Sequence, residues 1–151
     1  MKKLIVLAII PMLFFSCVKQ EEKVIEKEIV KENVRDGLFI HITEAYDDAH
    51  EVLMPLKMAS MMAQDKDVLV YMDIDAVKLL VKDAKDLQYS EFESAHTYIK
   101  KINELGGTVM ACPTCLKIAG YKPEDLREGV EIANKDKFYN FTKGRILTLD
   151  Y

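Results

Sequence analysis

Two uninterrupted apolar runs constrain the fold most strongly. Residues 37–43 read GLFIHIT and residues 67–72 read DVLVYM. Neither alternates apolar with polar residues, so each reads as a strand covered on both faces. Shorter strand-like segments follow at 108–111 (TVMA), 130–133 (VEIA) and 145–150 (RILTLD). Helical patterns separate them, at residues 45–64, 76–84, 91–105 and 114–119, with a weak helix or loop at 135–141. Strands alternating with helices imply right-handed crossovers. The expected architecture is therefore α/β, a mostly parallel sheet of about five strands with helices on both faces. In such sheets ligands bind beyond the carboxyl ends of the strands, near the point where strand order reverses.

Local signals refine the helices. Asp47 and Asp48 stand where negative charge favours a helix start. Pro55 lies inside that helix and predicts a kink or two segments. Met54, Met58, Met61 and Met62 read as core filling rather than as a soft binding surface. In the later helix Phe92, Ala95, Ile99 and Ile102 share one face, and Gly106-Gly107 end it.

The segment with chemistry is VMACPTCLKIAGY, residues 109–121. A strand end runs directly into Cys112. Pro113 suits the first position of a helix and Gly120 the position just past its end. Cys112 is thereby placed as N-cap, with its sulfur at the positive end of the helix dipole, where thiolate is favoured. Cys115 lies over the same face of the first turn. A Cys-x-x-Cys pair fits a redox dithiol, a sulfur carrier with Cys112 holding the sulfur and Cys115 resolving it, or a structural pair of thiols.

Other chemistries find no support. A zinc site needs four ligands and no second pair stands at ligand spacing; His41, His50 and His96 are dispersed. The turn after the first strand, TEAYDDAH, is acidic and free of glycine, which excludes a phosphate cradle or dinucleotide fingerprint there. No cofactor or metal is expected. The chain is 50% hydrophobic and 30% charged with a net charge of −4, and no basic run interleaved with aromatics points to nucleic acid.

The N-terminus reads as an address. Lys2 and Lys3 precede an apolar segment, residues 4–15, too short to span a bilayer and suited to secretion. The following MLFFSC resembles a bacterial lipobox loosely, which implies cleavage after residue 16 and a lipid on Cys17. An uncleaved membrane anchor is the alternative. Residues 1–16 include two lysines and no acid, so their removal takes the net charge to −6. Residues 17–35 read as a charged linker, with Lys19, Lys23, Lys27, Lys31 and Arg35 at helical spacing. A domain over 36–151 follows. With Cys17 committed to lipid, only Cys112 and Cys115 remain in the folded body, in a compartment where pairs tend to oxidise.

From about Leu38 to Tyr151 the chain resembles the DsrE/DsrF-like family, whose members include sulfur-relay subunits of the TusD type. The resemblance is carried by the apolar first strand with its acidic follow-on, by DVLVYMDIDAV, by the closing RILTLDY and above all by ACPTCLKIAGYKPEDL. In relatives a Cys ends the third strand and a Gly closes the short helix eight residues later; Cys112 and Gly120 keep that separation. The resemblance implies a flavodoxin-like parallel sheet, a tendency to homo-oligomers, partner proteins that donate or accept sulfur, and a persulfide on Cys112. Cys115 lies outside the TusD pattern and adds dithiol chemistry. The expected function is sulfur or thiol handling through Cys112 in a protein tethered to the bacterial cell envelope, facing the periplasm or exterior. The alternatives are a non-enzymatic binding module on the same scaffold and a thiol–disulfide oxidoreductase using Cys112 and Cys115.

Overall fold

The structure, a computed structural model, describes residues 34–151. The expected signal segment, Cys17 and nearly all of the charged linker lie outside the described residues. Five strands form one sheet: β1 (Gly37–Ile42), β2 (Asp67–Met72), β3 (Thr108–Ala111), β4 (Val130–Ile132) and β5 (Ile146–Asp150). Every pairing is parallel and the order is β4-β3-β2-β1-β5. Four helices connect them: α1 (Ala49–Met62), α2 (Ala95–Glu104), α3 (Pro113–Ile118) and α4 (Lys135–Asn140).

This order explains how the two faces are covered. Strands β1 to β4 are added in one direction, so their right-handed crossovers all fall on one face. There Leu38, Ile40 and Ile42 of β1, Val70 and Met72 of β2, and Val109 and Ala111 of β3 pack against α1 and α2. Leu53, Leu56, Ile99 and Ile102 close the core, each almost fully buried. A buried side chain of this size stabilises by roughly 1.5–3 kcal/mol. Only the step from β4 to β5 reverses direction, and it carries α4 to the opposite face. Among the described residues, helices thus lie on both faces, and the second face has one short helix, anchored by Phe138 against Phe39 and Tyr71.

The strands fall where the apolar runs predict them, and three helices differ. The first helix begins only at Ala49, because the Asp48 carboxylate accepts from the His50 and Glu51 N–H groups and fixes the start there. It is a single helix through Pro55 rather than two segments. Residues 76–84 give a single 3-10 turn, Ala76–Leu79; Val81 then pairs in an isolated bridge with Leu126. The helix expected from residue 91 begins at Ala95, where the Ser94 hydroxyl accepts from the Thr97 N–H. The methionines of α1 fill the core only in part: Met62 packs partly buried against it, and Met54 and Met58 are partly buried. Val52, Leu53, Leu56 and Ala59 take the buried positions, while Met61 is 61% exposed.

The described fold is held from Arg35 onward. Its guanidinium donates to the carbonyls of Ala63 and Lys66 at the end of α1 and pairs with Asp67. Asp36 pairs with Arg145 at the start of β5. No helix among the described residues is long and apolar enough to cross a membrane.

Candidate functional site

Cys112 continues the line of β3: its N–H donates to the Met72 carbonyl of β2 at 3.0 Å. It then caps α3, with Pro113 at the first helical position. Its sulfur accepts from the Cys115 N–H at 3.4 Å. Gly120, at φ +86°, closes the helix. Both cysteines are free thiols and half-buried. The sequence expectation that Cys112 is an N-cap and Cys115 its first-turn neighbour holds in full.

The two thiols are not equivalent. Burial pushes the Cys112 thiol up, but donors outweigh it: the Tyr71 hydroxyl, the Cys115 N–H, the Cys115 thiol and the Thr114 N–H. Its pKa falls below the ordinary thiol value. Burial likewise raises Cys115, and here the Cys112 sulfur and the Asp73 charge reinforce it. The Ile74 N–H opposes that rise without cancelling it. One thiol is thus poised to ionise before the other.

The backbone that supplies the Ile74 N–H is strained. Ile74 has φ +45°, a conformation costly for a β-branched residue. Its neighbours hold it there: the Asp73 N–H donates to Ile42, and the Asp75 and Ala76 N–H groups both donate to the Thr43 carbonyl. The Ile74 side chain gains little in return, being 60% exposed beside the dithiol.

Residues that the sequence reading left without a role complete the site. Parallel pairing puts Asp150, His41, Tyr71, Met110 and Glu131 in one row across the five strands. All five project from the face opposite α1, and Cys112 stands two residues past Met110 in the chain. His41 Nδ1 lies 2.6 Å from Asp150 and Nε2 lies 2.9 Å from Asp73. An ionised carboxylate only accepts, so both contacts are made together when the ring carries both protons. The ring stacks on Tyr71 with centroids 5.5 Å apart. Strand order reverses between β1 and β5, so His41 and Asp150 stand at the switch point and Cys112 two strands away. Tyr71 connects the two places. The signal for these residues was present as polar breaks, His41 and Tyr71, in otherwise apolar runs; their alignment needs the register, which a sequence does not state.

Among the described residues no group of three or more potential metal-ligand side chains comes together. His50 and His96 lie elsewhere, His50 against Tyr89 and Phe92 and His96 against Asp86. A cleft of about 510 Å³ borders α3, lined by Pro113, Leu116, Tyr121 and Ile132 among others, and neither sulfur lines it.

Comparison with known proteins adds three results. Residues 37–148 match the family model described as the DsrE/DsrF-like family. No curated protein matches the chain. Solved structures share the fold: the ychN protein from E. coli (18% identity, 76% of this chain and 99% of that one, TM-score 0.56) and MTH1491 from Methanobacterium thermoautotrophicum, a protein of unknown function (21%, 75% and 98%, TM-score 0.51). BT1422 from Bacteroides thetaiotaomicron, also of unknown function, matches at 20% identity over 76% of this chain and 95% of that one, with a TM-score of 0.50.

Proposed function

Because the chain belongs to the DsrE/DsrF-like family, we propose that it carries sulfane sulfur as a persulfide on Cys112 and passes it between partner proteins. The observation that carries this reading is the pair of unequal thiols at the end of β3, with the Cys112 sulfur lowered in pKa and capped by the Cys115 N–H. Both cysteines are partly exposed at the sheet's carboxyl edge, where a protein-borne donor can approach.

The chemistry balances without a cofactor. The Cys112 thiolate attacks the outer sulfur of a donor persulfide. A new S–S bond forms, the donor's S–S bond breaks, and its electron pair leaves on the donor thiolate. An acceptor thiolate reverses these roles and regenerates Cys112. Where no acceptor comes, the Cys115 thiolate attacks the inner sulfur and expels hydrosulfide. That leaves a Cys112–Cys115 disulfide, which a dithiol reductant returns to two thiols by exchange. The presence of Cys115 is what favours the second reading, a thiol–disulfide oxidoreductase, whose mark is a reversible potential for this couple.

The same reading includes the address: export, a lipid on Cys17, a charged linker over residues 17–35 and a location on the envelope. It also includes self-association, supported by the exposed Ile146 and Leu147 of the edge strand β5. The test is mass spectrometry after exposure to a sulfane donor. One added sulfur on Cys112, lost in Cys112→Ser, is expected. An unreactive Cys112, or a cellular phenotype unchanged by Cys112→Ser, would instead support a non-enzymatic binding module.

A further inference from the structure

We propose that Tyr71 is a catalytic hydrogen-bond donor to the sulfur on Cys112, and that His41, clamped between Asp73 and Asp150, is the residue that positions it. This rests on the reading that Cys112 takes up sulfur, and extends the site to a row of residues that the family resemblance did not supply.

Three observations converge. First, position: Tyr71 pairs with Met110, two residues before Cys112 on the neighbouring strand, and its phenol stands close enough to the Cys112 sulfur to favour the thiolate. Second, orientation: the ring is fixed from two sides, by the stack on His41 and by an edge contact with Phe138 at 5.1 Å. Third, the support is itself anchored. Both nitrogens of His41 meet carboxylates, one from the loop after β2 and one from β5, so the imidazole cannot turn without losing both contacts. A stack of packed rings with a doubly held histidine behind it is a costly way to place one hydroxyl unless the hydroxyl's position matters.

The hydroxyl acts as a donor and keeps its proton. Burial pushes the Tyr71 phenol far up, and the neighbouring Cys112, Asp73 and Cys115 push it further. It therefore stays phenolic when Cys112 is a thiolate. During transfer Cys112 changes from thiolate to persulfide and back, and the Tyr71 O–H favours the ionised form at the attacking and departing stages. A hydrogen bond to a charged group is strong enough to move the thiol by about one pH unit, or about tenfold in thiolate at neutral pH. The titratable groups that face the dithiol are Tyr71 from β2, Asp73 from the loop after it, and each cysteine toward the other.

The test uses the full chain with Cys115→Ser, so that only one thiol of the folded domain reports, alone and combined with Tyr71→Phe or His41→Gln. Alkylation by iodoacetamide against pH gives the Cys112 midpoint, and glutathione persulfide gives sulfur uptake. Tyr71→Phe is expected to raise the midpoint by about one pH unit and to slow uptake at pH 7 about tenfold, with thermal melting unchanged. His41→Gln should move the midpoint in the same direction by less. An unmoved midpoint in a folded Tyr71→Phe protein overturns the proposal. Should that variant not fold, carbon-13 tyrosine NMR of Cys112→Ser replaces it. The Tyr71 phenol must then titrate lower than in the unsubstituted chain, and no change overturns the proposal. Alkylation needs no sulfur donor, so a parent chain that takes up no sulfur removes the carrier reading while the midpoints still decide the role of Tyr71.

Discussion

At the scale of single residues, the site depends on how a few donors are aimed. Cys112 has its pKa lowered and Cys115 raised, and the sign of the consequence follows directly. Only thiolate reacts with an alkylating agent. As pH rises, Cys112 therefore reaches half-maximal alkylation first, below the ordinary thiol range, and Cys115 follows above it. Falling pH protonates Cys112 and removes its reactivity through the lowered midpoint. Mass-resolved alkylation of the two peptides across pH checks the order. Ile74 gives an independent prediction. Its φ of +45° is strained, and its side chain is largely exposed, so Ile74→Gly removes strain at little loss of packing. The protein should gain about 1 kcal/mol in denaturant unfolding. Ile74→Pro cannot adopt that φ and lacks the N–H beside Cys115, so it should destabilise and raise the Cys115 midpoint. Cys112, Cys115 and Pro113 were legible in the sequence because capping chemistry is local. Tyr71, Asp73 and Asp150 were not, because what unites them is the register of β5, β1 and β2.

At the scale of elements, short helices rely on their ends. The helix α3 has six residues, with Cys112 at one end and Gly120 just past the other. Nothing lies within 4 Å of a Cβ added at Gly120, so Gly120→Ala meets no clash and costs only its left-handed backbone, about 1 kcal/mol. Urea unfolding should show that loss, and the Cys112 midpoint should stay near its parent value because the cap at the other end is untouched. The strands were readable because unbroken apolar runs of this length have few other uses. Helix starts at residues 49 and 95 were less readable. The apolar pattern extends upstream of both, and the side-chain oxygens of Asp48 and Ser94 decide where the backbone turns helical. Residues 80–94 show the limit plainly, since Val81 bridges to Leu126, a partner far along the chain.

At the scale of the whole molecule, strand order sets where chemistry can occur. An alternating α/β pattern predicts parallel strands and carboxyl-edge function, both of which the fold has. It does not give β4-β3-β2-β1-β5, nor that three crossovers share a face and leave the other to α4. Among the described residues, that asymmetry leaves the His41–Tyr71 row on the face that carries α4. A chain starting at residue 34 retains the contacts of Arg35 with the end of α1. It should unfold in one cooperative transition, with calorimetric and van't Hoff enthalpies in agreement. The central claim concerns the sulfur itself, and it is tested most directly by intact-mass and peptide-mapped spectrometry of the chain after treatment with glutathione persulfide. One added sulfur atom on Cys112, released to an acceptor thiol and absent in Cys112→Ser, is the result predicted. A folded chain that gains no sulfur on Cys112 would contradict it.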